Sequence, residues 1–144
     1  MRKIVIIDAV FDDMNNCAYL IFKDTDEHFQ LQVSKDVGKR AALLLYNAFP
    51  LNEKSIYSSF VRLADGFGFK IDSVVLTADL KSEDTAKLVI SQNDKTIELL
   101  MDSDDAILVA LISRAAIFID DDSGYDDVEN DLISNWCNFF SKVL

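Results

Sequence analysis

Asp102, Asp104 and Asp105 stand within four positions of one another, where an apolar strand-like run gives way to a helical one. Carboxylates gathered at such a junction offer oxygen ligands to a hard divalent cation such as Mg²⁺ or Mn²⁺. The same residues have a second use. An aspartate at a helix N-cap or in its first turn stabilises the helix by about 0.5–2 kcal/mol through the exposed N–H groups and the positive end of the dipole. Both readings stand at this level.

Asp120, Asp121, Asp122, Asp126, Asp127, Glu129 and Asp131 place seven acids in twelve residues. They would add ligands to the same site if the short strand before them ended near the start of the helix; as a solvated acidic loop they need no ligand. Ser123 precedes Gly124 and no acid closes the loop, so this is not an EF-hand. His28 is the only histidine, and a nucleophile–histidine mechanism would rest on it alone. Its place between a turn and a strand predicts an exposed ring. The sequence contains no G-x-S-x-G elbow and no phosphate-binding P-loop, and Gly66-Phe67-Gly68 lacks the third glycine of a dinucleotide fingerprint.

The elements that must position these residues can be read from period and punctuation. Ile4–Val10 and Cys17–Phe22 read as strands separated by the turn cluster Asp12–Asn16, and Phe29, Leu31 and Val33 alternate with glutamines as a third strand. Ser34 is an N-cap candidate with Asp36 in the first turn, and Phe49-Pro50 is the expected end of that helix. Asn52 is the next N-cap candidate, with Ile56, Phe60, Leu63 and Phe67 marking the apolar face of a second helix that Gly66 and Gly68 stop. Ile71–Thr77, Leu88–Ile90 and Ile97–Met101 form a second meander around the turn Asn93-Asp94-Lys95. Ser103–Asp105 opens a third helix over Ala106–Ile112, and Ala116–Ile119 is a short strand. Val128, Leu132, Trp136, Phe139, Phe140 and Val143 place an apolar stripe on a terminal helix, 125–144, expected to dock on the rest. The order βββαα, βββα, β, α predicts an α+β fold with a curved, mainly antiparallel sheet and an approximate architectural repeat.

At 144 residues, 50% hydrophobic and with one proline, Pro50, the chain has the length and composition of one globular domain spanning 1–144. The net charge of −11 is unevenly spread: residues 73–144 hold five basic and fifteen acidic residues, net −10. That half repels phosphate unless cations intervene, which disfavours nucleic acid and anionic membranes as partners. No apolar stretch reaches the ~18 residues of a membrane span. The apolar run after Met1-Arg2-Lys3 is only four residues long, too short for a signal peptide. Cys17 and Cys137 lie far apart; one long-range disulfide and two buried free thiols are both open, the second favoured. The expected setting is cytoplasmic.

Asp105-Ala106-Ile107-Leu108-Val109-Ala110, followed by Ala116-Ile117-Phe118-Ile119, resembles the closing motif of the bifunctional nuclease domain family, S-D-A-I-x-L-A followed by A-P-I-F-V. Leu31-Gln32-Val33, the Ala/Leu-rich helix and Phe49-Pro50 are similar to that family's L-P-I helix segment and its ending. Ile71–Val75 and Ala86–Ile90 are similar to the hairpin that follows, so the resemblance spans residues 1–120. It implies DNA or RNA hydrolysis and a homodimer. Several polar positions of the pattern differ here. The family's R-P-S becomes Asp102-Ser103-Asp104, and the acid before it becomes Leu100 unless a slip of one or two residues lets Asp102 replace it. Its helical glutamate falls near Lys39, and its P-L-T-H-D segment falls within 52–58, which has no histidine or aspartate. Asp105 carries over.

Two functions follow. The first is a divergent member of the family that acts as a non-catalytic interaction or structural module, favoured by the charge and the missing polar positions. The second is a metal-dependent nuclease, with Asp105 and Asp102 as the catalytic pair around Mg²⁺ or Mn²⁺.

Overall fold

The computed structural model describes residues 1–25, 27–46, 55–77 and 85–120. The expected ending at Phe49-Pro50, the Asn52 cap, the acids from Asp121 to Asp131, Cys137 and the terminal helix 125–144 all lie outside the described residues. Within them the fold is α+β: three helices on a seven-stranded, mostly antiparallel sheet.

The first meander is β1 (Arg2–Asp12), β2 (Cys17–Lys23) and β3 (His28–Ser34). Asp12 organises the β1–β2 turn by accepting from the Asn15 backbone N–H at 3.2 Å and from its side-chain amide at 2.7 Å, and Asn16 takes the left-handed conformation, φ 53°. Helix α1 (Lys35–Leu45) starts where the sequence places it: the Ser34 hydroxyl accepts from Val37 N–H at 3.2 Å. It ends at Leu45, with Tyr46 as C-cap.

Helix α2 (Ile56–Gly66) is capped by Ser55, whose hydroxyl accepts from Ser58 N–H while the Ser58 hydroxyl bonds back to the cap. Its buried side differs from the expected one. Ile56, Leu63 and Phe67 are exposed, and Tyr57, Phe60, Val61 and Ala64 pack on the core. The helix is rotated so that Tyr57 and Val61 share the inner side with Phe60.

The second meander is β4 (Lys70–Thr77), β5 (Thr85–Gln92) and β6 (Lys95–Asp102). Helix α3 (Ser103–Ser113) follows β6 at once and returns across β5 and β4. β7 (Ala116–Asp120) then enters the middle of the sheet, antiparallel to β1 and parallel to β4. The strand order is β3-β2-β1-β7-β4-β5-β6. A short strand of alternating burial thus welds the two meanders into one sheet.

The core lies on the helix-bearing face. Ile4, Leu20, Phe22, Val74, Leu88 and Ile117 meet Val37 and Ala41 of α1 and an α3 that is buried without interruption from Ala106 to Ala110. A helix with no polar side over those five residues must be covered on all sides, and α3 is packed on the sheet and against both α1 and α2. Gly38 lets α1 approach β2 closely: a Cβ there would collide with the Ala18 methyl.

Candidate functional site

Asp102, Asp104 and Asp105 line one cleft of about 470 Å³, together with Ser34 and Asp36 at the start of α1 and Tyr57 of α2. The fold brings them there because β3 and β6 each hand the chain directly to a helix, and those two helices, α1 and α3, pack against each other. The first turns of α1 and α3 therefore face the same space. Asp36, Asp104 and Asp105 sit in those first turns, where negative charge complements the positive helix ends.

Each candidate acid has its own circumstance. Asp102 is the exposed N-cap of α3, but its side chain makes no capping hydrogen bond. The residue has the extended cap backbone, φ −61° and ψ 142°, without the side-chain bond. Ser103 beside it is buried. Asp105 is half-buried and accepts a hydrogen bond from the Tyr57 hydroxyl at 2.9 Å, across 48 positions of sequence. Burial, and then the Asp105 carboxylate, push the Tyr57 phenol above its ordinary value of 10.0, against a smaller opposing pull from Arg40. The Arg40 guanidinium lies 5.9 Å from the Tyr57 ring centroid and donates to Asp36 at 3.1 Å. The chain Asp36–Arg40–Tyr57–Asp105 thus ties the three helices together at the cleft mouth.

This constellation was only partly visible in the sequence. Asp36 and Arg40 are an i,i+4 pair, a readable signal. Tyr57 stands one position from Ile56, which marks the expected apolar face, and its carboxylate partner is far along the chain.

Among the described residues no three histidine, cysteine, aspartate or glutamate side chains converge closely enough to hold a metal ion. Asp102 and Asp105 share a cleft without forming such a set. Asp120, the one described acid of the second cluster, ends β7 at the same end of the sheet as Asp102. Two strands intervene, so the two lie about 14 Å apart at ~4.8 Å per strand. His28 opens β3 at its far end, exposed as expected and about 20 Å from Ser34 at ~3.3 Å per residue. It is no partner to the cleft. Cys17 is buried and free.

A larger cavity, about 670 Å³, opens at the opposite end of the sheet, where α2 and α3 terminate. Arg62, Lys70 and Arg114 line it beside Asp65 and Asp72. The cations complement the negative ends of two helices, and no nucleophile–base pair accompanies them.

Among the described residues no helix is long and apolar enough to cross a membrane. No protein-family model matches the chain, and no curated protein matches it.

Proposed function

We propose that this chain is a divergent bifunctional-nuclease-like domain that serves as a non-catalytic interaction or structural module. One observation carries the reading. Asp105, the polar position that fits the family pattern, is engaged by the Tyr57 hydroxyl at 2.9 Å, and no third ligand joins it and Asp102 among the described residues. A carboxylate held by a neutral phenol between two helices is doing the work of a tie. The charge supports the same view, because residues 73–144 are net −10 and phosphate approach there would need added cations. A cytoplasmic homodimer completes the proposal, the free thiol of Cys17 being in keeping with a reducing compartment.

The competing reading is a nuclease with Asp105 and Asp102 as catalytic residues around Mg²⁺ or Mn²⁺. Its support is that both carboxylates face one cleft. A bound ion would be the largest charge in that cleft and would reverse the local potential. Incubating single-stranded RNA and DNA with the purified chain and either metal separates the two. The expected result is no cleavage above background, the same for wild type and Asp105→Asn. Cleavage that disappears in a folded Asp105→Asn variant would establish the nuclease instead.

A further inference from the structure

β6 is one of the two edges of the sheet, and its exposure is out of keeping with its sequence. All six residues from Lys95 to Leu100 are exposed, among them Ile97 at 43%, Leu99 at 38% and Leu100 at 75%. On its inner side β6 is paired to β5 along its whole length, from Gln92↔Lys95 to Thr85↔Asp102. On its outer side no described strand pairs with it. Edge strands are normally protected by a proline, a bulge, short length, charged side chains or a covering helix or loop, and of these β6 carries the charges of Lys95 and Glu98. β6 has eight residues and no proline, and the register shifts recorded in the sheet fall in β1 and β4. The other edge, β3, differs: its Phe29, Gln30 and Val33 are buried, and its exposed residues, His28, Gln32 and Ser34, are polar.

We propose that β6 is the interface for a second copy of this chain, the two β6 strands pairing antiparallel about Leu99 to continue one sheet through the dimer. The inference deepens the homodimer reading above by naming the surface. Its register follows from hydrogen-bond phase and charge. The two-residue turn Asn93-Asp94 makes Gln92 and Lys95 a hydrogen-bonded pair, so Lys95, Ile97, Leu99 and Met101 bond inward to β5. Thr96, Glu98 and Leu100 then direct their N–H and C=O groups outward.

Two-fold symmetry requires facing residues to lie on the same side of the sheet, so the axis passes at one residue. An axis at Glu98 sets Glu98 against itself, a like-charge pair. An axis at Ile97 sets Lys95 against Leu99 of the partner subunit and leaves Met101 and Asp102 without a facing residue. An axis at Leu99 sets Leu99 against Leu99 of the partner subunit, Ile97 against the partner's Met101, and Glu98 against the partner's Leu100. The outward groups of Glu98 and Leu100 bond reciprocally. The same register brings Lys95 beside the start of the partner's α3, where Asp102 and Asp104 stand. Each copy thereby supplies a cation to the rim of the other's acidic cleft. Because the pairing is one strand wide, its area sits at the low end of stable interfaces, and the expected affinity is micromolar.

The test uses the full chain. Sedimentation velocity at tens of micromolar should show a species of twice 16.2 kDa. Leu100→Glu opposes Glu98 at two symmetric contacts and should weaken association about tenfold, with Glu98→Lys in the same chain restoring it. In a Cys137→Ser background, mild oxidation of Leu99→Cys should give a covalent dimer, because a facing non-hydrogen-bonded pair lies within disulfide reach. Ile97→Cys should not, its symmetry mate being about 13 Å away. A monomer at all concentrations would overturn both this interface and the homodimer reading. A dimer that Leu100→Glu leaves unchanged and Leu99→Cys fails to link would overturn the β6 interface alone, with a different surface or partner then covering β6. Equal linking through Ile97→Cys would overturn the register.

Discussion

In the first meander, Phe22 and Phe29 stack across β2 and β3 with ring centroids 5.6 Å apart, and the outer strand keeps Phe29, Gln30 and Val33 from solvent. In the second, Leu88 and Ile90 of β5 are just as well buried, yet their cross-strand partners Leu99 and Ile97 are not. Both outer strands alternate apolar residues, and both lead directly into a helix. The helices have different tasks. α1 folds back over its own meander. α3 must cross β5 and β4 to deliver β7 beside β1, so its buried surface is spent at the centre of the sheet. Alternation sets which way a side chain points; whether anything lies there depends on where the next element has to go.

Core truncation should separate the two outer regions most. Phe22→Ala removes a fully buried ring and should cost about 3–5 kcal/mol, while Leu100→Ala in dilute protein should stay within about 0.5 kcal/mol. Urea unfolding of both variants checks this. Equal losses would mean that β6 is covered after all.

Next in size is Gly38→Ala. Helix propensity alone favours alanine by about 1 kcal/mol, but the new methyl meets that of Ala18, which β2 holds at full burial. The expected net result is destabilisation of about 1–3 kcal/mol, again by urea unfolding. A stabilised variant would show that α1 can lift from the first meander without loss.

The smallest effect belongs to the tie between the halves. Tyr57→Phe deletes the hydrogen bond to Asp105 and should cost about 0.5–1.5 kcal/mol near neutral pH. The phenol's raised pKa adds a pH signature. Its contribution is complete below the unfolded value near 10, and it fades as pH climbs from there through the higher folded value. Wild type should therefore lose stability faster than Tyr57→Phe above pH ~10. Tyr19 and Tyr46 are also shifted upward by their Cys17 and Asp8 partners, and they cancel in that comparison. Identical alkaline slopes would show that Tyr57 does not couple α2 to α3.

Much of the local architecture was legible. Ser34 announces α1, the turn Asn93-Asp94 announces the β5–β6 hairpin, and alternation gives the strands of both meanders. The side that α2 buries was not legible, because Ile56, Leu63 and Phe67 compose a convincing apolar stripe that the packing leaves in water. Nor was the use of Asp105. A carboxylate in the first turn of a helix reads equally as a charge on the helix dipole or as a metal ligand, and only the approach of Tyr57 selects a third role.

The sequence by itself determined the α+β class, the order of its elements, the helix start at Ser34 and the concentration of acid in the second half. These are properties of neighbouring residues, set by side-chain period, turn chemistry and capping, and they need no knowledge of the rest of the chain. Only the tertiary structure decided that β7 lies between β1 and β4, that α3 is enclosed, that Tyr57 meets Asp105 and that no described strand pairs with the outer side of β6. Each of those is a meeting, or a failure to meet, between segments far apart in sequence, settled by which surfaces the helices could cover together.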